Sequence, residues 1–316
     1  MAYLLRRLGV SVVLIWLVAT LIFAVLRLIP GDPAEMLLSS GGVAPDPAAV
    51  AELRERLGLE KPMLEQYGAF LRGLARFDLG NSMQDERPVM EEIVRRLPRT
   101  LELVVAATIL SILIGLPLGV AAALRRGHLL DRTLSTLSRF LMSVPVFVIG
   151  TLLVLLFAQK LRWVPAGGFV AFAQDPFAHL KILLMPAITI ALGLSAVVFR
   201  MVRTTTLEMQ NRDWVRTARA KGLPENQVIR RHVVRNALGP VLTVVGLHMG
   251  TLLGGTVLVE YVFNWPGLSG FLVRAVEQRD YPEVQGIVLV ICTLFVLLNL
   301  AVDLLYAVLD PRVRHG

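Results

Sequence analysis

The sequence predicts an all-α polytopic membrane protein with six transmembrane helices and both termini on the cytoplasmic side. Three observations predict it. Of 316 residues, 55% are hydrophobic and only 18% charged, with a mean hydropathy of +0.65, against about 25% charged in an ordinary soluble chain. Six windows of 18 to 24 residues contain no charged side chain: Gly9–Leu26, Leu103–Leu124, Phe140–Gln159, Ile182–Phe199, Asn236–Val259 and Val284–Val302. Each is close to the ~20 apolar residues that a helix needs to cross a ~30 Å hydrocarbon core, and none alternates as a barrel strand would. Finally, the Lys/Arg residues are unevenly placed. With the N-terminus inside, the internal pieces carry 17 of them and the two short external loops five, which is the bias that fixes orientation.

The first window follows Arg6 and Arg7, as a secretion signal would. Its uncharged run is longer than a ~7–15-residue signal core, and Ile29-Pro30-Gly31-Asp32-Pro33 follows in place of a small-residue cleavage site, so it reads as a retained span. The long external segment holds two amphipathic stretches. Asp46–Gly58 spaces Val50, Leu53 and Leu57 helically between Pro47 and Gly58, and Met63–Phe77 puts Tyr67, Phe70, Leu71 and Leu74 on one face. A small folded external subdomain is expected there. The expected organisation is residues 1–29 as the first span, 30–100 as the external subdomain, 101–310 as a core of five spans enclosing a cytoplasmic loop at 201–240, and 311–316 as a tail.

That loop is long, basic and amphipathic. Asp213 is suited to cap a short helix ending at Gly222, and Pro224 opens a second helix through Val228, His232, Val233 and Ala237. Such a corner is expected to present Val215, Ala218 and Leu223, rimmed by Arg216, Arg219 and Lys221, either to a groove on a soluble partner or to anionic lipid. The net charge of +8 needs no nucleic acid. Only four of the 32 basic residues are lysines, no basic tract occurs, and the Arg200–Arg235 segment alone holds nine of them. The lone Cys292 excludes an internal disulfide.

The run Arg216-Thr217-Ala218-Arg219-Ala220-Lys221-Gly222, followed by Arg235-Asn236-Ala237-Leu238-Gly239-Pro240, resembles the EAA loop of ABC importer permeases. The version is that of the dipeptide, oligopeptide, glutathione and nickel branch. Leu28 to Ala34, Leu57-Gly58-Leu59, Asp78-Leu79-Gly80-Asn81-Ser82, Val262 to Leu268 and Arg279-Asp280-Tyr281-Pro282 agree in order along the whole chain. Arg216 and Thr217 stand where the namesake loop has Glu and Ala. The resemblance implies a type I importer transmembrane domain in a bacterial inner membrane, paired with a second, homologous permease as a heterodimer. It implies two ATPase subunits or domains in the complex, one of them docked by this chain through residues Val215 to Leu223 as a coupling helix, a soluble binding protein outside, and a small peptide-like cargo. No lysine is followed by Ser or Thr, so the chain has no phosphate loop. The chain is expected to be no enzyme and to bind no cofactor of its own, with ATP and Mg²⁺ held by the partners.

Polar groups within spans are costly and become candidates for function. His248 and then Asn299 are candidates to line a pore, against the plainer reading of a hydrogen bond between helices. Gly246, Gly250 and Gly254, with Gly255, form a small-residue stripe suited to helix contact, and Gly115, Pro117 and Gly119 suggest close packing or a kink. Two other classes compete. The Gly267-Leu268-Ser269-Gly270 string invites comparison with a rhomboid-type serine protease, but no histidine lies in the last span to activate Ser269. A secondary transporter would want Asp or Glu inside the windows, which hold none. The five histidines are scattered and give no metal site.

Overall fold

The computed structural model of the chain describes residues 2–28, 33–38, 46–56, 58 and 60–309. The Ile29 to Asp32 run, Leu57, Leu59 and the tail 311–316 lie outside the described residues, as do the side chains of Leu53 and Asp303. The helices are α1 (Ala2–Leu28), α2 (Pro33–Leu38), α3 (Pro47–Arg56), α4 (Met63–Ala75), α5 (Val89–Leu124), α6 (Leu129–Ser143), α7 (Val146–Leu153), α8 (Pro176–Gln210), α9 (Asp213–Ala220), α10 (Glu225–Gln227), α11 (Arg235–Gly255), α12 (Val257–Val262), α13 (Leu268–Glu277) and α14 (Tyr281–Leu309). Wider π-helical turns, Val154–Lys160 and Val228–Val234, extend α7 and join α10 to α11. Among the described residues the extended structure is a single bridge between Asn81 and Pro88.

Helices α1, α5, α8, the α10–α11 run and α14 are long and apolar enough to cross a membrane. The third expected span is different. Phe140–Gln159 carries no charge, yet the chain bends by 102° between Leu129–Ser143 and Val146–Lys160. The cause is Pro145, whose ring disfavours helical dihedrals at the preceding Val144, which is extended with ψ 128°. A sixth crossing exists only if this bent pair is counted as one. The fifth window is also interrupted, because α11 ends at Gly255 and α12 begins after Thr256.

Two compact units are present, residues Met1–Pro98 with Gly267–Val296, and Arg99–Pro266 with Leu297–Gly316. In the first, α3 starts where expected: Asp46 Oδ1 accepts the Ala48 N–H at 3.0 Å and Pro47 opens the helix. The α4 stripe finds its partner on α1. Phe70 stacks on Phe23 at 5.6 Å between centroids, the Tyr67 and Thr20 hydroxyls lie 2.7 Å apart, and Leu74 packs beside Ala19 and Ile22. A second core joins Val89 and Ile93 of α5 to Leu268, Phe271 and Ala275 of α13 and Ile287 of α14.

The second unit is organised around α8, which has the largest buried share of any spanning helix. Gly115 and Gly119 of α5 lie against it so closely that a Cβ at either would sit 2.8 Å from Val198 or Val202. The motif therefore marks close packing, and α5 stays helical through Pro117. Asp131 of α6 is buried and accepts two hydrogen bonds from the Arg203 guanidinium of α8, at 2.6 and 2.9 Å, plus one from the Gly127 N–H at 2.9 Å. This bidentate pair ties the amphipathic α6 to the central helix.

Candidate functional site

The loop between α8 and α11 is built from local rules. Arg212 occupies the N-cap and Asp213 the first helical position, where its charge favours the helix dipole. Asp213 thus starts α9 but does not cap it. At the other end Gly222 has φ +75°, its N–H donates to Arg219 O at 2.9 Å, and the Leu223 N–H donates to Ala218 O at 3.4 Å. These two bonds are a Schellman stop, completed by the apolar contact of Leu223 with the Ala218 cluster. The Arg219 guanidinium reaches Glu225 at 2.7 and 3.1 Å, bracing α9 to α10; this pairing pushes the Arg219 pKa further up.

The apolar face of α9 points inward, contrary to the expectation that it is presented to a partner or to lipid. Val215 is 0% exposed and Ala218 5% exposed, and both pack on Val228 and Val233 with Met209 and Leu223 at the edge. They are the core of the loop and not its outer surface. The π turn makes this possible. In an α-helix, Val228 and Val233 would point about 140° apart, whereas the wider i→i+5 turn returns them to one side. What α9 leaves open is the opposite face, Arg216, Thr217, Ala220 and Lys221, with Trp214 47% exposed beneath the Arg212 guanidinium at 5.7 Å. Trp214 went unnoticed in the sequence although it lies three residues from Thr217 and seven from Lys221, on one helical stripe. Periodicity marks an apolar stripe without saying what covers it.

The other candidates are dispersed. His248 is half-buried on α11, its carbonyl accepting the Thr251 hydroxyl at 2.8 Å, and Asn299 is half-buried on α14. Gly246 and Gly250 are buried by this chain's own packing, whereas Gly254 is exposed and a Cβ there would meet nothing within 4 Å. Ser269 is fully buried in the first turn of α13, after Gly267 at the N-cap, which closes it to a substrate.

Several polar clusters were invisible in the sequence because they join distant segments. Asp280 is completely buried and gathers the Ser82 hydroxyl at 2.6 Å and the Met83 N–H at 2.8 Å, while its Oδ1 takes the Glu283 N–H at the start of α14. Two of the motifs that carried the resemblance therefore meet across 198 residues. In the second unit His179 lies between the Val170 carbonyl and Glu102, both at 2.7 Å, edge-on to Phe169 and Trp265. Glu260, equally buried, accepts the Thr100 hydroxyl at 2.7 Å. Trp265 donates its indole N–H to Arg99 O at 3.0 Å, and Gly168 donates to Phe263 O at 2.9 Å. Gly167 has no room for a side chain, since a Cβ would collide with that same oxygen.

Comparison with known proteins agrees with this architecture. A protein-family model described as "Binding-protein-dependent transport system inner membrane component" matches residues 115–315, and one for the N-terminal part of such components matches residues 1–104. The di/tripeptide transport system permease DppB of Pseudomonas aeruginosa (strain UCBPP-PA14) is 41% identical over 335 residues, covering 100% of this chain and 99% of that protein. The dipeptide transport system permease DppB of Escherichia coli (strain K12) is 40% identical over 336 residues, covering 99% of this chain and 98% of that one. The DppB dipeptide permease of Alkalihalophilus pseudofirmus is 38% identical over 335 residues, with both chains fully covered. Among solved structures, the inward-facing MetNI methionine ABC transporter superimposes with a TM-score of 0.58 at 20% identity, over 70% of this chain and 97% of that one, a likeness of fold.

Proposed function

The chain belongs to the family of binding-protein-dependent transport system inner membrane components, and from that premise we propose a cargo and a set of contacts. As a member it is a multi-pass, pore-forming permease subunit of an ABC importer. It acts with ATPase and substrate-binding components and is not itself an enzyme.

The cargo we propose is a di- or oligopeptide, with glutathione, an opine or a nickel chelate as the alternatives within the branch. The observation that carries it is the end-to-end match to dipeptide permeases. We place the chain in a bacterial inner membrane, with the α9 turn and both termini cytoplasmic by the Lys/Arg asymmetry. A second, homologous permease completes the pore, and His248 and Asn299 face it. Two ATPase subunits or domains hold ATP and Mg²⁺, and this chain contributes no cofactor site.

The docking face toward an ATPase is the open side of α9, centred on Trp214, Arg216, Thr217 and Lys221. Its support is physical. The buried side of α9 is locked onto the π turn and the Schellman stop fixes its end, so a push on α9 moves α8 and α11 as connected rigid levers. The test is uptake into proteoliposomes containing the whole transporter, its binding protein and internal ATP. Labelled dialanine accumulating only with ATP is the expected result. Accumulation of glutathione or a nickel chelate without dialanine would overturn the peptide reading.

A further inference from the structure

One feature of the first unit is untouched by the transport reading: a cavity of about 310 Å³ walled by the Ser82–Arg87 hairpin, the start of α5, α13 and the start of α14. Such a volume is at the small end of ~300–1,000 Å³ ligand sites. Most of its charges are matched. Glu92 accepts from Arg95 at 2.6 and 2.8 Å and from Arg96 at 2.9 Å, and Asp85 lies 3.5 Å from Arg87. Two groups are left over. Glu283 lines the cavity, is 8% exposed, and its carboxylate receives no hydrogen bond among the described residues. Arg274, on the same wall, makes no ion pair among the described residues and is set beside Arg96, whose guanidinium is held over the Phe271 ring at 4.6 Å.

A buried carboxylate without a donor is costly, whereas Arg274 is exposed and free to receive an anion. A simple anion would engage only Arg274 and a simple cation only Glu283. A metal ion is a poor fit, because no group of three or more His, Cys, Asp or Glu among the described residues has the arrangement to hold one. We propose that this cavity binds a small zwitterion, its ammonium at Glu283 and its carboxylate at Arg274. The inference rests on the peptide reading only for the choice of that zwitterion.

The probe is L-alanyl-L-alanine, titrated calorimetrically into the assembled transporter in lipid nanodiscs without binding protein. Dialanine is expected to bind, and N-acetyl-dialanine and dialanine amide to bind at least about tenfold more weakly, the loss due to one hydrogen bond to a charged group. Glu283→Gln and Arg274→Gln should each weaken dialanine to the same degree. The blocked peptides keep the test independent of how the variants fold. No binding by the unaltered transporter, or binding indifferent to both blocking groups and both substitutions, would overturn the site. ATP-driven dialanine uptake measured alongside separates the two ideas. Uptake without Glu283-dependent binding overturns the cavity alone, and Glu283-dependent binding without uptake overturns the cargo alone.

Discussion

Helix α5 and the C-terminal end of helix α11 each carry a pair of glycines, and the two pairs meet opposite fates. On α5, Gly115 and Gly119 are filled by Val198, Val202 and the backbone of α8. On α11, Gly254 and Gly255 are exposed, and a side chain at either would touch nothing within 4 Å. The same contrast recurs on α9, where Val215 and Ala218 are covered by the chain itself and Trp214 is open. In each case small or apolar residues at helical spacing mark a contact face. Whether that face is satisfied within the subunit depends on where distant helices run.

This contrast can be broken experimentally, beginning where it is strongest. Gly119→Val would drive a side chain into Val202 and the Phe199 carbonyl, both within 2.9 Å of the Cβ position. The expected cost is about 3 kcal/mol, the upper end of overpacking penalties, read as a lower melting temperature in detergent and less protein in the membrane fraction. Ala218→Asp comes next, placing a charge in the loop core at a cost of about 2 kcal/mol. Protease nicking between 209 and 235 should rise as substrate-stimulated ATPase activity falls. Trp214→Ala sharpens the point from the other side. Thermal stability should stay within about 0.5 kcal/mol while stimulated ATPase activity drops several-fold, and undiminished stimulation would remove α9's open face as the docking surface. The smallest effect is expected for Gly254→Ala, neutral or up to about 1 kcal/mol stabilising in the isolated chain because alanine is the better helix former. Its signature is weaker co-purification of the second permease, and an unchanged yield of the pair would assign that stripe to lipid.

What was legible in the sequence was whatever depended on near neighbours. Charged residues bound the spans because their solvation cost is local, Asp46 and Pro47 start α3, and Gly222 with Pro224 fixes the corner of the loop. The bend at Val144-Pro145 was written in the proline, but a charge-free window cannot register a backbone preference. Contacts between remote segments left no trace. Ser82 with Asp280, Glu102 with His179, and Asp131 with Arg203 are separated by 198, 77 and 72 residues, and one sequence carries no information on which polar residue answers which. The reversal of the α9 face has the same origin, since its cover comes from a π turn that helical periodicity of 3.6 does not describe.

The bend after α6 also has a consequence for the lipid. Val146–Lys160 is 15 residues long, and even at the α-helical 1.5 Å per residue, more than its wider π turns rise, it spans at most about 22 Å, at least ~8 Å short of a ~30 Å hydrocarbon layer. With α6 turned 102° away and pinned to Arg203, it cannot supply the missing length along the same axis. Where this segment crosses, the bilayer must pinch inward to meet it, or Lys160 must stretch to the headgroups. A crossing by this segment puts a thin place in the subunit's own solvent, and transport should then depend on acyl-chain length more strongly than five full-length spans would require.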